Sequence, residues 1–399
     1  MTAPLRGPGF AKLRQLADVV YDPWITELGA SPLRIYSAEQ LAERIAGEAA
    51  DVVVVESDSV RGPVFDLGLR AIASTRGDPN NVDIDGATAA GIPVLNTPAR
   101  NADAVAEMAV ALLLAATRHL LSADADVRSG NTFRDGIIPY QRFRGWEIAG
   151  RTAGLVGLGA VGRALRWRLS GLGMRVIAHD PYNDEARHGL DELLAEADVV
   201  SLHAPVTDDT VGMIGAPQFA AMRDGVVFLN TARAQLHDTD ALVDALRGGK
   251  VAAAGLDHFA GEWLPTDHPL VGMPNVVLTP HIGGATWNTE ARQAQMVADD
   301  LEALLSGKTP AHIVNPEVLA SCSSLTSRRP RCWTPPRTCC AGAWSREPPA
   351  TSRPGAPTAT SSSRRRRSTI ATCSSTTSCW STRKASCCKP PTVERRPRR

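Results

Sequence analysis

Two kinds of apolar spacing alternate along the first 320 residues. Short β-branched runs at 51–56, 69–75 and 92–96 stop at turn or polar residues, as buried strands do, and stretches of helical period separate them. Between 103 and 121, Val105, Met108, Ala109, Leu112, Leu113 and Ala116 recur at i, i+3, i+4, i+7, i+8 and i+11. That stripe predicts one long amphipathic helix whose apolar face packs into the core rather than forming a subunit interface. A second strand series begins at 152–156 and continues at 174–179, 198–203, 226–231, 252–256 and 276–278. Strands alternating with helices predict an α/β fold with parallel sheets.

Parallel sheets of this kind bind ligands beyond the carboxyl ends of their strands. His203, Arg233, Asp257 and His281 each stand near the end of a run in the second series, so they are candidates to converge on one cleft. The 152–156 run leads into Gly157-Leu158-Gly159-Ala160-Val161-Gly162 and then a helical stretch at 163–170. Gly157 and Gly159 allow a tight turn and close approach of a pyrophosphate to backbone N–H groups, and Gly162 lets helix and strand pack closely. Asp180, 23 residues after Gly157, ends the next strand, where a carboxylate accepts both ribose hydroxyls and repels the 2′-phosphate of NADP. Strand, glycine turn, helix and acid in this order predict a dinucleotide site that prefers NAD.

Charge alters this picture at the C-terminal end. Residues 321–399 hold 17 of the 43 Lys+Arg, 2 of the 42 Asp+Glu and all eight cysteines, leaving an acidic, cysteine-free body that carries all nine histidines. Such a body is neither a disulfide scaffold nor a phosphate-neutralising surface, so no nucleic-acid partner is expected. The N-terminus lacks the apolar stretch of a signal peptide, and the apolar run 108–116 is too short for a bilayer, so the expectation is a cytoplasmic body without a membrane partner. Residues 321–399, rich in Ser, Thr, Pro, Arg and Cys without apolar periodicity, read as disordered. Back-translation offers another account: Ser375–Thr382 can be encoded so that a frame one base earlier reads LDDLVLVD, and Gly342–Arg353 so that a shifted frame reads GLVEGTAGNISA. The shifted text resembles the start of the class II aldolase/adducin family, which makes the tail an out-of-frame, non-native reading.

Several motifs in order carry a further resemblance: Gly91-Ile92-Pro93-Val94-Leu95-Asn96-Thr97-Pro98, Ala104-Val105-Ala106-Glu107, the Gly157 turn, Asn230-Thr231-Ala232-Arg233, Asp257-His258-Phe259-Ala260-Gly261-Glu262 and Thr279-Pro280-His281-Ile282-Gly283-Gly284. Over about residues 34–318 the chain resembles the D-isomer-specific 2-hydroxyacid dehydrogenases, in particular the phosphoglycerate-dehydrogenase-like members. The resemblance implies two doubly wound parallel-sheet domains. A flavodoxin-like substrate domain spans 12–100 plus 286–318, and a Rossmann NAD-binding domain at 101–285 is inserted into it.

The resemblance also implies a catalytic trio of Arg233, Glu262 and His281. Arg233 would clamp the substrate carboxylate bidentately, His281 would exchange the hydroxyl proton, and Glu262 would orient the imidazole. Ala160 and Val161 would lie against the pyrophosphate, and Thr231 and Ala232 against the nicotinamide ribose. Asp257 would meet the carboxamide, and Gly283 and Gly284 would form the nicotinamide-side turn. Arg76 and Gly77 would help hold substrate in a loop where Pro79 removes one N–H donor. The implied partner is a small 2-hydroxy or 2-keto acid, the assembly a homodimer, and no metal is called for. Corepressors of the C-terminal-binding type resemble the same family and use dinucleotide binding as an assembly switch. An aldolase-like neighbour and a body without a DNA-binding motif favour the dehydrogenase.

Overall fold

The computed structural model describes residues 1–25, 34–134 and 136–323, all within one compact unit, Met1–Arg337. The remainder of the expected tail lies outside the described residues. Every run read as a strand is one. β1 (Val52–Val55), β2 (Ala71–Ser74) and β3 (Val94–Leu95) form a parallel sheet in that order. β4 (Thr152–Val156), β5 (Arg175–His179), β6 (Val199–Leu202), β7 (Val226–Asn230), β8 (Val251–Leu256) and β9 (Val276–Leu278) form a second parallel sheet, ordered β5-β4-β6-β7-β8-β9. The chain steps from β4 outward to β5 and then returns to place β6 on the other side of β4. A crevice therefore opens at the carboxyl ends of β4 and β6.

Strand side chains alternate between two cores. Val156, Val200, Phe228 and Ala254 face one, with Phe219, Leu242 and Leu246 from the covering helices. Leu155, Val199, Val227, Leu229 and Ala253 face the other, with Leu112, Leu113 and Leu165. Both faces are apolar because both are covered, which is why these strands read as continuous hydrophobic runs.

The predicted 103–121 helix is shorter than expected. It spans Ala102–Thr117, and after a bend of 65° a second helix runs from Leu120 to Arg128. His119 takes a left-handed φ of 55°, and the returning chain captures the end of the helix, where Trp146 N–H donates to the Thr117 carbonyl at 3.1 Å. Apolar spacing could not register that crossing. The stripe itself is core: Val105, Ala109, Leu112, Leu113 and Ala116 are buried. Likewise the helix expected from 163 begins at Ala160, directly on the glycine turn.

The smaller lobe also uses residues ahead of 12. Thr2 N–H donates to the Val54 carbonyl at 2.9 Å, Ala3 and Leu5 are buried, and the Gly7–Leu16 helix crosses the Trp287–Leu305 helix at Gly9, where any side chain would strike the backbone at Ala294 and Gln295. At the other end, the Glu317–Ser323 helix carries order past residue 321. No single helix among the described residues is long and apolar enough to cross a membrane.

Two imidazoles of the larger lobe are held neutral by burial. His203 Nε2 lies 2.9 Å from Ser201 Oγ, and His237 Nδ1 lies 3.0 Å from Asn230 Nδ2. Their other ring nitrogens are buried without a partner. Burial pushes both pKa values down to about 4, against a smaller opposing effect of Asp238 on His237. The unfolded chain binds protons near the ordinary 6.5 that the native state refuses. Stability is therefore whole above about pH 6.5 and falls as the pH drops toward 4, by on the order of 3 kcal/mol per group at the limit. Calorimetry should show Tm falling across that window, with a shallower fall in His237→Gln. A flat Tm between pH 6.5 and 4 would contradict the burial of these rings.

Candidate active site

The turn after β4 is shaped by contacts that exclude side chains. Gly157 has φ 99°, and a Cβ there would lie 2.7 Å from the His203 carbonyl group, so the chain leaving β6 packs directly on this glycine. A Cβ on buried Gly162 would fall inside van der Waals distance of the Gly157 carbonyl oxygen. Exposed Gly159 differs, since a Cβ there would meet nothing within 4 Å. Gly159 caps the Ala160–Gly171 helix without a side-chain acceptor and without an acid in the first turn. The N–H groups around Ala160 and Val161 are thus presented to an anion arriving over Gly159, as a pyrophosphate requires. Asp180 braces the turn: one carboxylate oxygen accepts from Leu158 N–H at 2.8 Å and the other from Tyr182 N–H at 2.9 Å. The residues fit a dinucleotide, with the acid already fixed beside the glycines.

The ends of β7, β8 and β9 carry the other predicted groups. After β7, buried Asn230 accepts from Ala232 N–H at 3.0 Å and donates to the Arg233 carbonyl at 2.8 Å, folding Thr231–Arg233 into a tight loop. Arg233 is exposed and donates to the Ala232 carbonyl, and no carboxylate among the described residues pairs with it. Its charge opposes protonation of both Arg76, on the smaller lobe, and His258, on the larger. Arg233 therefore stands within electrostatic reach of both.

After β8, Asp257 is 1% exposed. Its carboxylate accepts from Thr279 Oγ1 at 2.6 Å, Ile282 N–H at 3.0 Å and Gly283 N–H at 2.7 Å, and its carbonyl accepts from His281 N–H at 2.9 Å. A side chain on Gly283 would press on that carboxylate, and one on Gly284 would press on Asn101 at the crossing between the lobes. The structure thus gives Asp257, Gly283 and Gly284 a packing task in shaping the turn that follows β9.

That turn presents His281. Its Nδ1 lies 2.9 Å from Glu262 Oε1, although the two residues are far apart in sequence. Both residues adopt left-handed φ values, 59° for Glu262 and 54° for His281, where a Cβ is strained. Such strain persists where surrounding bonds over-determine the backbone and gathers at functional sites.

Three participants escaped the sequence reading. His258 packs its ring against His281, centroids 3.8 Å apart, and is pushed down to about 3 by burial, then by the charges of His281 and Arg233. In the smaller lobe, Arg100 and Glu56 form a largely buried pair at 2.5 Å, and Arg100 also reaches Gln293 on the long C-terminal helix. Arg76 is fixed close by: it donates to the Glu56 carbonyl at 2.5 Å and to Asn80 Oδ1 at 2.8 Å, and burial lowers its pKa. His258 had a signal, its place inside the Asp257–Glu262 motif, but only the fold shows which way its ring turns.

Gly159 and Gly162 separate ligand space from packing space. Gly162→Ala should lower stability by about 1–3 kcal/mol through overpacking, seen as a lower Tm. Gly159→Ala should leave Tm unchanged and weaken NADH binding about tenfold or more in fluorescence titration. Normal binding by Gly159→Ala would mean that the pyrophosphate does not cross this turn.

Comparison with known proteins identifies the family. A family model described as "D-isomer specific 2-hydroxyacid dehydrogenase, NAD binding domain" matches residues 110–283. The chain is 37% identical over 293 residues to the glyoxylate reductase of Korarchaeum cryptofilum (strain OPF8), spanning 71% of this chain and 87% of the relative. It is 41% identical over 255 residues to the D-3-phosphoglycerate dehydrogenase of Mycobacterium bovis, spanning 62% of this chain but only 47% of that longer protein. A crystal structure of a Thermus thermophilus protein superposes with a TM-score of 0.68 at 36% identity, covering 78% of this chain and 98% of the other. The chain belongs to the D-isomer-specific 2-hydroxyacid dehydrogenase family and carries its NAD-binding domain.

Proposed function

We propose that this NAD-dependent dehydrogenase interconverts a D-2-hydroxy acid and its 2-keto acid with Arg233, His281 and Glu262 as the reacting trio. The Nδ1–Oε1 bond of 2.9 Å between His281 and Glu262 carries the reading. With Nδ1 engaged by the carboxylate, Nε2 is the ring atom left to take or return the proton of the C2 hydroxyl. Glu262 fixes the ring's orientation and supports the imidazolium that forms. Arg233, without a carboxylate partner of its own, offers its fork to the substrate carboxylate and polarises the C2 oxygen. The chemistry NAD supplies is hydride exchange at C2, with Asp180 selecting it over NADP. Arg76 and Gly77 border the substrate side from the smaller lobe. Glyoxylate and phosphoglycerate, the substrates in the relatives' names, share the α-carboxylate and C2 oxygen that this trio handles.

The homodimer is supported by an apolar arm after the bend at His119, where Leu120, Leu121, Val127, Phe133, Ile137 and Ile138 are exposed. A patch of this kind asks for a partner surface. Light scattering should give twice the chain mass, and Phe133→Asp should reduce it to one. We read residues from about 321 as the shifted aldolase frame, which the gene's nucleotide sequence tests directly.

Steady-state kinetics test the trio. His281→Ala should lower kcat by about 10²-fold or more, the range for losing a general acid–base group. Glu262→Gln keeps a hydrogen-bonding partner and should retain more activity. Arg233→Lys should raise KM for the keto acid as well as lower kcat, because the charge survives and the fork does not. Near-normal kcat in His281→Ala, with the loss confined to NADH binding, would remove His281 from the proton step.

A further inference from the structure

One imidazole of the site takes no part in the proton exchange. The His258 side chain is only 3% exposed, and its Nδ1 is buried with no hydrogen-bond partner. A metal ion takes a neutral imidazole through the lone pair of one nitrogen, with the ring proton on the other. His258 Nδ1 lies 3.8 Å from Glu262 Oε1, with His281 Nδ1 2.9 Å beyond on the same oxygen. Three atoms able to ligate a metal thus converge, and one of them, His258 Nδ1, is fully removed from solvent. A buried ring nitrogen without a hydrogen-bond partner is costly unless an ion or another group meets it.

We propose that His258, Glu262 and His281 form a binding site for a divalent transition metal ion, with zinc as the best fit, and that its occupation blocks turnover. The sequence reading expected no metal here. The candidate ligand atoms all lie within 4.8 Å of one another. A tetrahedral zinc with bonds of about 2.0–2.1 Å needs donors roughly 3.3 Å apart, and the two measured separations of 2.9 and 3.8 Å bracket that value. Small side-chain movements of Glu262 and His281, both exposed to the cleft, would close the site on the immobile His258. Two imidazoles and one carboxylate are a borderline donor set that favours zinc over magnesium or calcium, and a fourth position stays open to the cleft.

The block follows from proton balance. Zinc bonded to His281 Nδ1 occupies the lone pair of that atom, so the single proton of the neutral ring, otherwise shared with Glu262, is moved to Nε2. With that proton in place, Nε2 has no lone pair with which to accept the C2 hydroxyl proton. Binding rests on the geometry alone, whereas the block rests also on the proton role proposed for His281.

The full chain, stripped with EDTA, provides the test. All eight cysteines lie between 322 and 388, so alkylating thiols with iodoacetamide silences thiolate ligation without touching the site. Zinc titrated against a chromophoric chelator should fill one tight site per chain. His258→Val should weaken it about 10²-fold or more, since even partners of a metal's ligands are worth 10–100-fold. His258→Gln serves as a second variant should the first fold poorly. Turnover should be lost as that site fills and recover on adding EDTA, each variant being read against its own metal-free rate. Equal zinc affinity with and without His258, or no binding below millimolar zinc, would overturn the site. Zinc that binds at His258 without slowing turnover would overturn the block and the proton role of His281 together.

Discussion

Asp257 follows β8 with its carboxylate removed from solvent, and burial of that group is tolerable because three donors surround it: Thr279 Oγ1, Ile282 N–H and Gly283 N–H. All three come from the turn after β9, so satisfying one charge determines the path of the segment that carries His281. The Asp257 carbonyl receives the His281 N–H as well. Gly283 is the residue that permits the approach, because a side chain there would displace the carboxylate. The His281 imidazole is thus placed by a buried structural acid.

From that constraint follows the tolerance of strain. Glu262 and His281 each occupy left-handed backbone space without being glycine, at a cost of about 1–2 kcal/mol apiece. Neither conformation would survive in a loose loop. Both persist because strand ends held in register, Leu256 beside Leu278 and Asn230 beside Leu256, deliver the loops to one place. The imidazole–carboxylate contact of His281 and Glu262 is therefore fixed by the fold and not by local sequence.

The other half of the cleft is organised by charge. Glu56, at the end of the smaller sheet, pairs with Arg100, while its backbone carbonyl receives Arg76. Arg100 stands where the chain passes between the lobes and is tied to Gln293 on the returning helix. Arg292 on that helix reaches the Arg100 carbonyl. Both crossings meet again at Asn101 and Gly284. An ion pair so placed couples the position of Arg76 to the crossing segments, the place where enzymes that close over substrate seat their hinges.

The strands were legible because each is covered on both faces, which writes an uninterrupted apolar run into the chain. The glycine turn and Asp180 were legible because close backbone approach admits only certain residues at fixed spacing. Motif order, not periodicity, singles out Arg233, Glu262 and His281, and of these the structure brings Glu262 and His281 into contact. Local pattern misjudged the helix after 103, which a distant Trp146–Thr117 hydrogen bond ends early, and the start of the smaller lobe, where residues 1–11 pack on a helix nearly 300 positions away. It was silent on His258, whose role depends on the direction of a ring. Sequence alone determined which segments become strands and which residues can serve chemistry, because those properties reside in single side chains and their spacing. Tertiary structure decided which of those residues face each other, because the meeting of His258, Glu262 and His281 is set by the register of parallel strands and the turns that join them.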